Sequence, residues 1–255
     1  SDKSSFFELF SNKFLTNEGD IGDGILDVFD RYNFTVNESD SLDQEIAVDP
    51  EMLGKVFENL LDKKERGDKG AFYTPREIVQ FMCQESLIEY LYAKTNSLIS
   101  IQDLNIFIKH SAEIYQYDFS VSNESSEKTF LLPQHCIDKA KELDALLQDI
   151  LVCDPAVGSG AFPIGMLNEI VDARKVLELH LNNQISLYDL KLHTISKSLY
   201  GVDLDPGAVE IAKLSFWLSL VVEEDKPIPL PNLEHKIMQG NSLISQYEGI
   251  ELFDG

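Results

Sequence analysis

The sequence has few basic residues, few cysteines and no long apolar run, and each shortage excludes a class of protein. Lysine and arginine number 21 against 44 aspartates and glutamates, so the formal net charge is −23. A surface of this charge repels nucleic acid unless a local patch or another segment supplies basic groups. The three scattered cysteines favour a reducing compartment over a disulfide-stabilised secreted fold. No apolar run approaches the length of a membrane-spanning helix.

The composition nevertheless suits a folded, globular protein. Apolar residues make up 44% of the chain and aromatic residues 10%, which is enough for a buried core. The N-terminus lacks both the basic start of a secretory signal and an initiator methionine. We therefore expect a piece of a longer cytoplasmic protein. A mostly helical and linker region is predicted over residues 1–66, and a larger core over residues 67–255.

Apolar residues recur at helical spacing in two segments before residue 95. The first is Asp49–Leu61, which a charged linker follows over residues 62–69. The second begins near Thr74, which we predict as the N-cap, with Pro75 in the first turn. Its predicted buried face consists of Ile78, Val79, Phe81, Met82, Leu87 and Ile88. A well-capped helix explains this stretch, but the aromatic pair Phe72–Tyr73 before the cap is also placed to line a pocket.

Residues 95–148 are predicted to be an insertion in the core. Helical periodicity around Ile99–Ile114 and over Pro133–Gln148 flanks the polar stretch Ser120–Lys128. For Thr95–Lys128 we expect a surface excursion that is partly mobile. His135 and Cys136 have no second pair of ligands at metal spacing, so no metal site is predicted.

From residue 150 onward the pattern alternates between strands and helices. Strands are predicted over Ile150–Cys153, Ser198–Asp203 and His235–Gln239. Helices are predicted over Ala161–Leu179 and Pro206–Glu223, with a polar extension over Leu181–Lys197. This βαβαβ order predicts an α/β fold with an incomplete doubly wound, Rossmann-like sheet.

A glycine turn, D-P-A-V-G-S-G, follows the first of these strands, and two phosphate-binding motifs can be excluded there. Gly160 and Gly165 have the spacing of a P-loop, but Met166 stands where its lysine should be. Gly158 and Gly160 match the start of a dinucleotide-binding motif, but Pro163 replaces its third glycine.

The carboxylate of Asp154, just before the turn, would repel a pyrophosphate and suits a cationic ligand. S-adenosylmethionine is such a ligand, since its methionine end carries an ammonium and a sulfonium group. Asp203 ends the second strand and is placed to accept hydrogen bonds from ribose hydroxyls. Asn241 follows the third strand and could contact adenine. Each residue alone could be a strand-end cap, but three at consecutive strand ends favour a binding site.

The same residues resemble those of a known family. D-P-A-V-G-S-G-A-F (Asp154–Phe162) resembles motif I of the DNA adenine-N6 methyltransferases in which the motif order is X, I, II, III, IV. G-A-F-Y-T-P-R-E-I-V (Gly70–Val79) is similar to motif X, residues 201–212 to motif II and residues 240–244 to motif III. The run over Asp49–Leu61 resembles what precedes motif X in Eco57I-like type II restriction–modification enzymes.

The resemblance implies a fold, a cofactor and a set of site residues. The core would be a methyltransferase domain that binds S-adenosylmethionine for transfer of a methyl group to adenine N6 in DNA. Asp203 would bind the ribose and Asn241 the adenine. The residues implied to lie near the methionine end are Phe72, Tyr73, Thr74, Asp154, Ala156, Gly158 and Gly160. Pro155, Leu204 and Ser242 are implied to belong to the same cofactor site.

The sequence departs from the family at the catalytic motif. That motif, [N/D/S]-P-P-[Y/F], should follow motif III, but no Pro-Pro pair occurs in the chain. We therefore expect no catalytic residues here and no methylation by this chain alone. The resemblance implies that double-stranded DNA binds through missing C-terminal parts, and some enzymes of this kind have an endonuclease domain fused upstream. A methyltransferase for a substrate other than DNA and a non-catalytic scaffold subunit remain alternatives.

Overall fold

The computed structural model describes residues 13–15, 21–23, 74–120, 131–183, 185–221, 232–244, 246–247 and 250–251. The chain divides into two compact units, Ser1–Asp49 and Pro50–Gly255. In the first unit, β1 (Lys13–Leu15) and β2 (Ile21–Asp23) pair as an antiparallel hairpin. The helix predicted over Asp49–Leu61 and the division predicted at residue 66 lie outside the described residues.

The second unit contains a three-stranded parallel sheet in the order β3–β4–β5. Its strands are β3 (Val152–Asp154), β4 (Leu199–Asp203) and β5 (Ile237–Gln239). In the register, Asp154 is paired with Gly201, and Asp203 with Gln239. All three predicted strands are confirmed, with ends that differ by at most two residues from the prediction. A small antiparallel pair, β6 (Gln246–Tyr247) and β7 (Ile250–Glu251), follows.

Three helices accompany the parallel sheet. They are α6 (Ala161–Leu181), α7 (Leu187–Lys197) and α8 (Pro206–Val221). The segment predicted as a polar extension before β4 contains a regular helix, which Ser186 caps by accepting a hydrogen bond from the Asp189 amide at 3.0 Å. Leu190 and Ile195 anchor α7 in the core. Leu199 and Ile237 are buried on one face of the sheet, whereas Met238 is 42% exposed on the other.

Five further helices precede the sheet. They are α1 (Arg76–Lys94), α2 (Ile101–Lys109), α3 (Ser111–Ser120), α4 (Gln134–Asp138) and α5 (Ala140–Gln148). Helices α1, α3 and α5 pack directly on α6. Within the described ranges, none of the helices is long and apolar enough to cross a membrane.

The helices of the predicted insertion belong to the core. Leu104, Phe107 and Ile108 are buried at positions i, i+3 and i+4 of α2, and Leu143 and Leu147 are buried on α5. The expectation of a surface excursion was therefore wrong for the described helices between residues 95 and 120. The polar stretch after residue 120 lies outside the described residues, and the insertion itself stays a prediction. Helices α2 and α5 each have an apolar stripe along one side. In an amphipathic helix, such a stripe packs against the core of the protein.

Helix α1 starts and faces differently from the prediction. Pro75 is the N-cap, so Thr74 precedes the cap, and no side chain caps the helix. Val79, Leu87 and Ile88 are buried as expected, but Ile78, Phe81 and Met82 are 50%, 59% and 48% exposed. The buried stripe instead continues through Cys83 and Gln84. The predicted face omitted both residues, and apolar periodicity could not reveal Gln84 because its side chain is polar.

A buried ion pair ties α5 to α6. The Arg174 Nε donates to the Asp144 Oδ1 at 2.8 Å, and the two residues are only 3% and 5% exposed. Glu178, one turn further along α6, is 5% exposed. Burial raises the pKa of the Glu178 carboxyl, and the neighbouring Asp144 raises it further. The positive charge of the Arg174 guanidinium therefore reduces the repulsion between the buried carboxyl groups of Asp144 and Glu178.

Candidate functional site at the carboxyl edge of the sheet

Three polar side chains that the sequence singled out follow neighbouring strands. Asp154 ends β3, Asp203 ends β4, and Asn241 follows β5 by two residues. Because the strands are parallel, their carboxyl ends lie along one edge of the sheet. Backbone bonds hold the loops of this edge together, with the Val157 amide on the Val202 carbonyl and the Gly240 amide on the Asp203 carbonyl, both at 2.9 Å.

The carboxylate of Asp203 supports the glycine turn directly. Its Oδ2 accepts a hydrogen bond from the Gly158 amide at 2.8 Å, and its Oδ1 accepts one from the Asp205 amide at 2.9 Å. A carboxylate oxygen has two lone pairs, so both oxygens can still accept from a ligand hydroxyl. Asp203 is therefore both a structural brace for the turn and a candidate acceptor, and only the second role was predicted.

The turn itself depends on its two glycines. Gly158 and Gly160 have φ angles of +53° and +94°, in the region that favours glycine. A Cβ atom added at Gly158 would meet nothing within 4 Å, so the space beside this residue is open. A Cβ atom at Gly160 would lie 3.3 Å from the Cα atom of Ala212, where α6 passes close to α8. The first glycine therefore leaves room beside the turn, and the second allows two helices to approach.

Asp154 lies at the start of the turn in an environment that disfavours its charge. Its Oδ1 accepts a hydrogen bond from the Ala156 amide at 3.0 Å. Burial raises the pKa of the Asp154 carboxyl, the Ala156 hydrogen bond lowers it, and the negative charge of Asp203 raises it. A cation bound at this edge would offset both the desolvation and the repulsion between the carboxylates.

The loop after β5 closes the other side of the edge. The Ser242 hydroxyl donates to the Pro155 carbonyl at 2.7 Å and so joins this loop to the glycine turn. The Asn241 Oδ1 accepts from the Leu243 amide at 3.0 Å. Leu204, beside Asp203, is 65% exposed, and its carbonyl accepts from the Gln239 side chain at 3.2 Å. An apolar side chain therefore stands next to the predicted ribose acceptor.

The structure describes only one of the three residues before α1 that were predicted to line the cofactor site. Phe72 and Tyr73 lie outside the described residues, whereas Thr74 is half-buried immediately before α1. The prediction that these three residues line the site stays a prediction.

Two residues that the predictions omitted lie between α1 and α6. The Cys83 thiol donates to the Phe162 carbonyl at 3.7 Å, in the first turn of α6. A Cβ atom at Gly165 would lie 2.6 Å from the Val79 Cγ1. A glycine inside an apolar helix was the signal available in the sequence, because it often marks close packing.

Among the residues that the structure describes, no group of three or more His, Cys, Asp or Glu side chains could hold a metal ion. His135 instead pairs with Asp103, with the Nδ1 and Oδ2 atoms 3.0 Å apart.

The part of the chain that forms this edge is similar in sequence to known proteins. Residues 132–252, which include β3, β4 and β5, match the family model described as the MmeI DNA-methyltransferase domain. A Methanocaldococcus jannaschii protein, provisionally named as a type II restriction enzyme and methyltransferase, is 33% identical over 244 residues. The match covers 91% of this chain, which spans 19% of that relative. No solved structure gives a significant match.

Proposed function

We propose that the chain belongs to the restriction–modification methyltransferases with an MmeI-type domain, as its similarities indicate, and that it is the part of a DNA adenine-N6 methyltransferase that binds S-adenosylmethionine. The observation that carries the proposal is the position of Asp154, Asp203 and Asn241 at one edge of the sheet, beside an open glycine turn. The parent protein would move the methyl group from the sulfonium of the cofactor to N6 of an adenine extruded from DNA.

The residues at this edge fit the chemistry of the cofactor. Its cationic methionine end would lie near Asp154, whose charge is disfavoured by burial and by Asp203. The ribose hydroxyls would donate to the Asp203 carboxylate, and Asn241 would meet the adenine. Leu204, at 65% exposure, offers the adenine an apolar surface. The open space beside Gly158 permits a ligand to approach the backbone.

The exposure of one face of the sheet supports the prediction of a doubly wound, Rossmann-like fold. Parallel sheets of α/β proteins are covered by helices on both faces. Here Leu151, just before β3, is 73% exposed and Met238 on β5 is 42% exposed. We infer that these strands are half of a doubly wound, Rossmann-like sheet and that further parts of the parent protein cover this face.

The chemistry of methyl transfer is assigned to other parts of the parent protein. No Pro-Pro pair is present in this chain, so the group that orients the target N6 comes from elsewhere. Basic groups for DNA binding would come from elsewhere too, because the net charge here is −23. The name of the relative also mentions a restriction enzyme, which supports a fused endonuclease. A cytoplasmic location, where DNA is available, completes the proposal.

The cofactor proposal is tested by calorimetric titration of the purified chain with S-adenosylmethionine. We expect saturable binding, and we expect Asp154→Asn to weaken it about tenfold because one charge–charge contact near the protein surface is lost. Asp138→Asn removes an exposed carboxylate on α4 and should leave the affinity unchanged. The absence of binding by folded wild-type chain would contradict the proposal and favour the scaffold alternative.

The substrate is tested with the full-length parent protein and a cofactor labelled on its methyl group. Label recovered as N6-methyladenine after digestion of DNA supports the proposal. Label found in another base, in protein or in a small molecule would contradict adenine-N6 specificity. The chain alone should bind the cofactor but transfer no label to DNA.

A further inference from the structure

At Gly165, helix α6 lies in close contact with α1. Gly165 lies in the interior of α6, where glycine weakens a helix by about 1 kcal/mol relative to alanine. An added Cβ would lie 2.6 Å from the Val79 Cγ1 and 3.3 Å from the Cys83 Sγ. Carbon atoms in contact are normally about 3.5–4.0 Å apart, so an alanine here would require the Val79 side chain, or α1 as a whole, to shift by about 1 Å.

Polar contacts hold the same two helices in one arrangement. The Cys83 thiol donates to the Phe162 carbonyl at 3.7 Å, and the Gln84 side chain donates to the Glu169 carboxylate at 3.1 Å. Burial raises the pKa of the Cys83 thiol to about 12, so it stays protonated and remains a donor. These bonds lie on both sides of Gly165 along α6. The two helices therefore cannot slide at this contact without losing a hydrogen bond.

The contact is also close to both elements of the candidate site. Gly165 follows Gly160, the N-cap of α6, by five residues, or about 7.5 Å along the helix axis. Val79 lies in the first turn of α1, and Thr74 precedes the N-cap of that helix by one residue. The glycine turn and Thr74 are therefore each within two helical turns of this contact along the chain. We propose that Gly165 is a positioning residue for the cofactor site: by omitting a side chain, it sets the distance between Thr74 and the glycine turn.

This inference rests on the proposed function, and a double-mutant cycle separates the two. Affinity for S-adenosylmethionine and the urea midpoint are measured for wild type, Gly165→Ala, Val79→Ala and the double variant. We expect Gly165→Ala to weaken binding about tenfold, because binding sites tolerate displacements of only about 0.5 Å. The double variant should recover most of that loss, since Val79→Ala removes the methyl group that the new Cβ would strike.

A stability control accompanies the cycle. Leu190→Ala, in the buried face of α7, should lower the urea midpoint without changing the affinity. If Gly165→Ala does not fold, Val79→Ile adds one methylene group at the same contact and should weaken binding in its place.

The outcomes are distinct. Absence of binding by the wild type would refute the proposed function. Binding by the wild type and equal binding by a folded Gly165→Ala or Val79→Ile variant would refute the positioning role. A loss of affinity that the double variant fails to recover would also refute it, because the effect would then not arise from the contact with Val79.

Discussion

The two glycines of the turn offer a matched pair for testing how the site is built. Substituting alanine at Gly160 places a side chain at a φ angle of +94° and 3.3 Å from the Ala212 backbone. Backbone strain of this kind costs about 1–3 kcal/mol, and overpacking costs about 1–3 kcal/mol more. Loss of chain entropy in the unfolded state returns about 0.4–1 kcal/mol. We expect Gly160→Ala to lower the free energy of unfolding by about 2–4 kcal/mol.

Gly158→Ala is the control for this prediction. Its φ of +53° lies in the left-handed helical region, and its Cβ would meet no atom within 4 Å. The expected loss is therefore only the conformational term, about 0.5–1.5 kcal/mol after the entropy gain. The two substitutions share the same turn and the same chemistry. They differ mainly in the contact with α8.

The measurement is urea unfolding followed by tryptophan fluorescence. The single tryptophan of the chain, Trp217, lies on α8 together with Ala212, so it reports on the helix that Gly160 contacts. In a thermal melt of the same variants, each kcal/mol of lost stability should lower the midpoint temperature by about 2–4 °C in a domain of this size. Equal losses for the two variants, or a larger loss for Gly158→Ala, would refute the close approach of α6 and α8.

Two further predictions concern buried charges. Arg174→Met should lower the free energy of unfolding by about 3–5 kcal/mol, because it leaves Asp144 and Glu178 buried without the guanidinium; a loss below 1 kcal/mol in urea unfolding would contradict this pairing. Burial raises the pKa of Glu169 from 4.5 to about 7, so the folded chain binds more protons than the unfolded chain between these pH values, and stability falls as the pH rises through them. Glu169→Gln should flatten that fall and be about 1–2 kcal/mol more stable than wild type at pH 8, after allowance for partial exposure; parallel urea midpoints from pH 4 to pH 8 would exclude this effect.

Strands and their polar ends could be read from the sequence because the information is local. Each short apolar run predicts a strand, and the aspartate that ends the run, Asp154 or Asp203, marks the carboxyl end of that strand. Helix faces were harder to predict. On α1, the apolar residues Ile78, Phe81 and Met82 lie outside the buried stripe, whereas Gln84 lies within it. Which stripe is buried depends on where α6 lies, and that position is not encoded within α1 alone.

By itself, the sequence determined the three strands, the glycine turn and the order of the polar residues that end the strands. It did so because these features depend on residues adjacent in the chain. Only the tertiary structure decided that the helices described within residues 101–120 and 134–148 belong to the core, and that Gly165 lies against α1. It also showed that the Asp203 carboxylate supports the Gly158 amide. These contacts join residues far apart in the chain, and their geometry follows from how helices and strands pack.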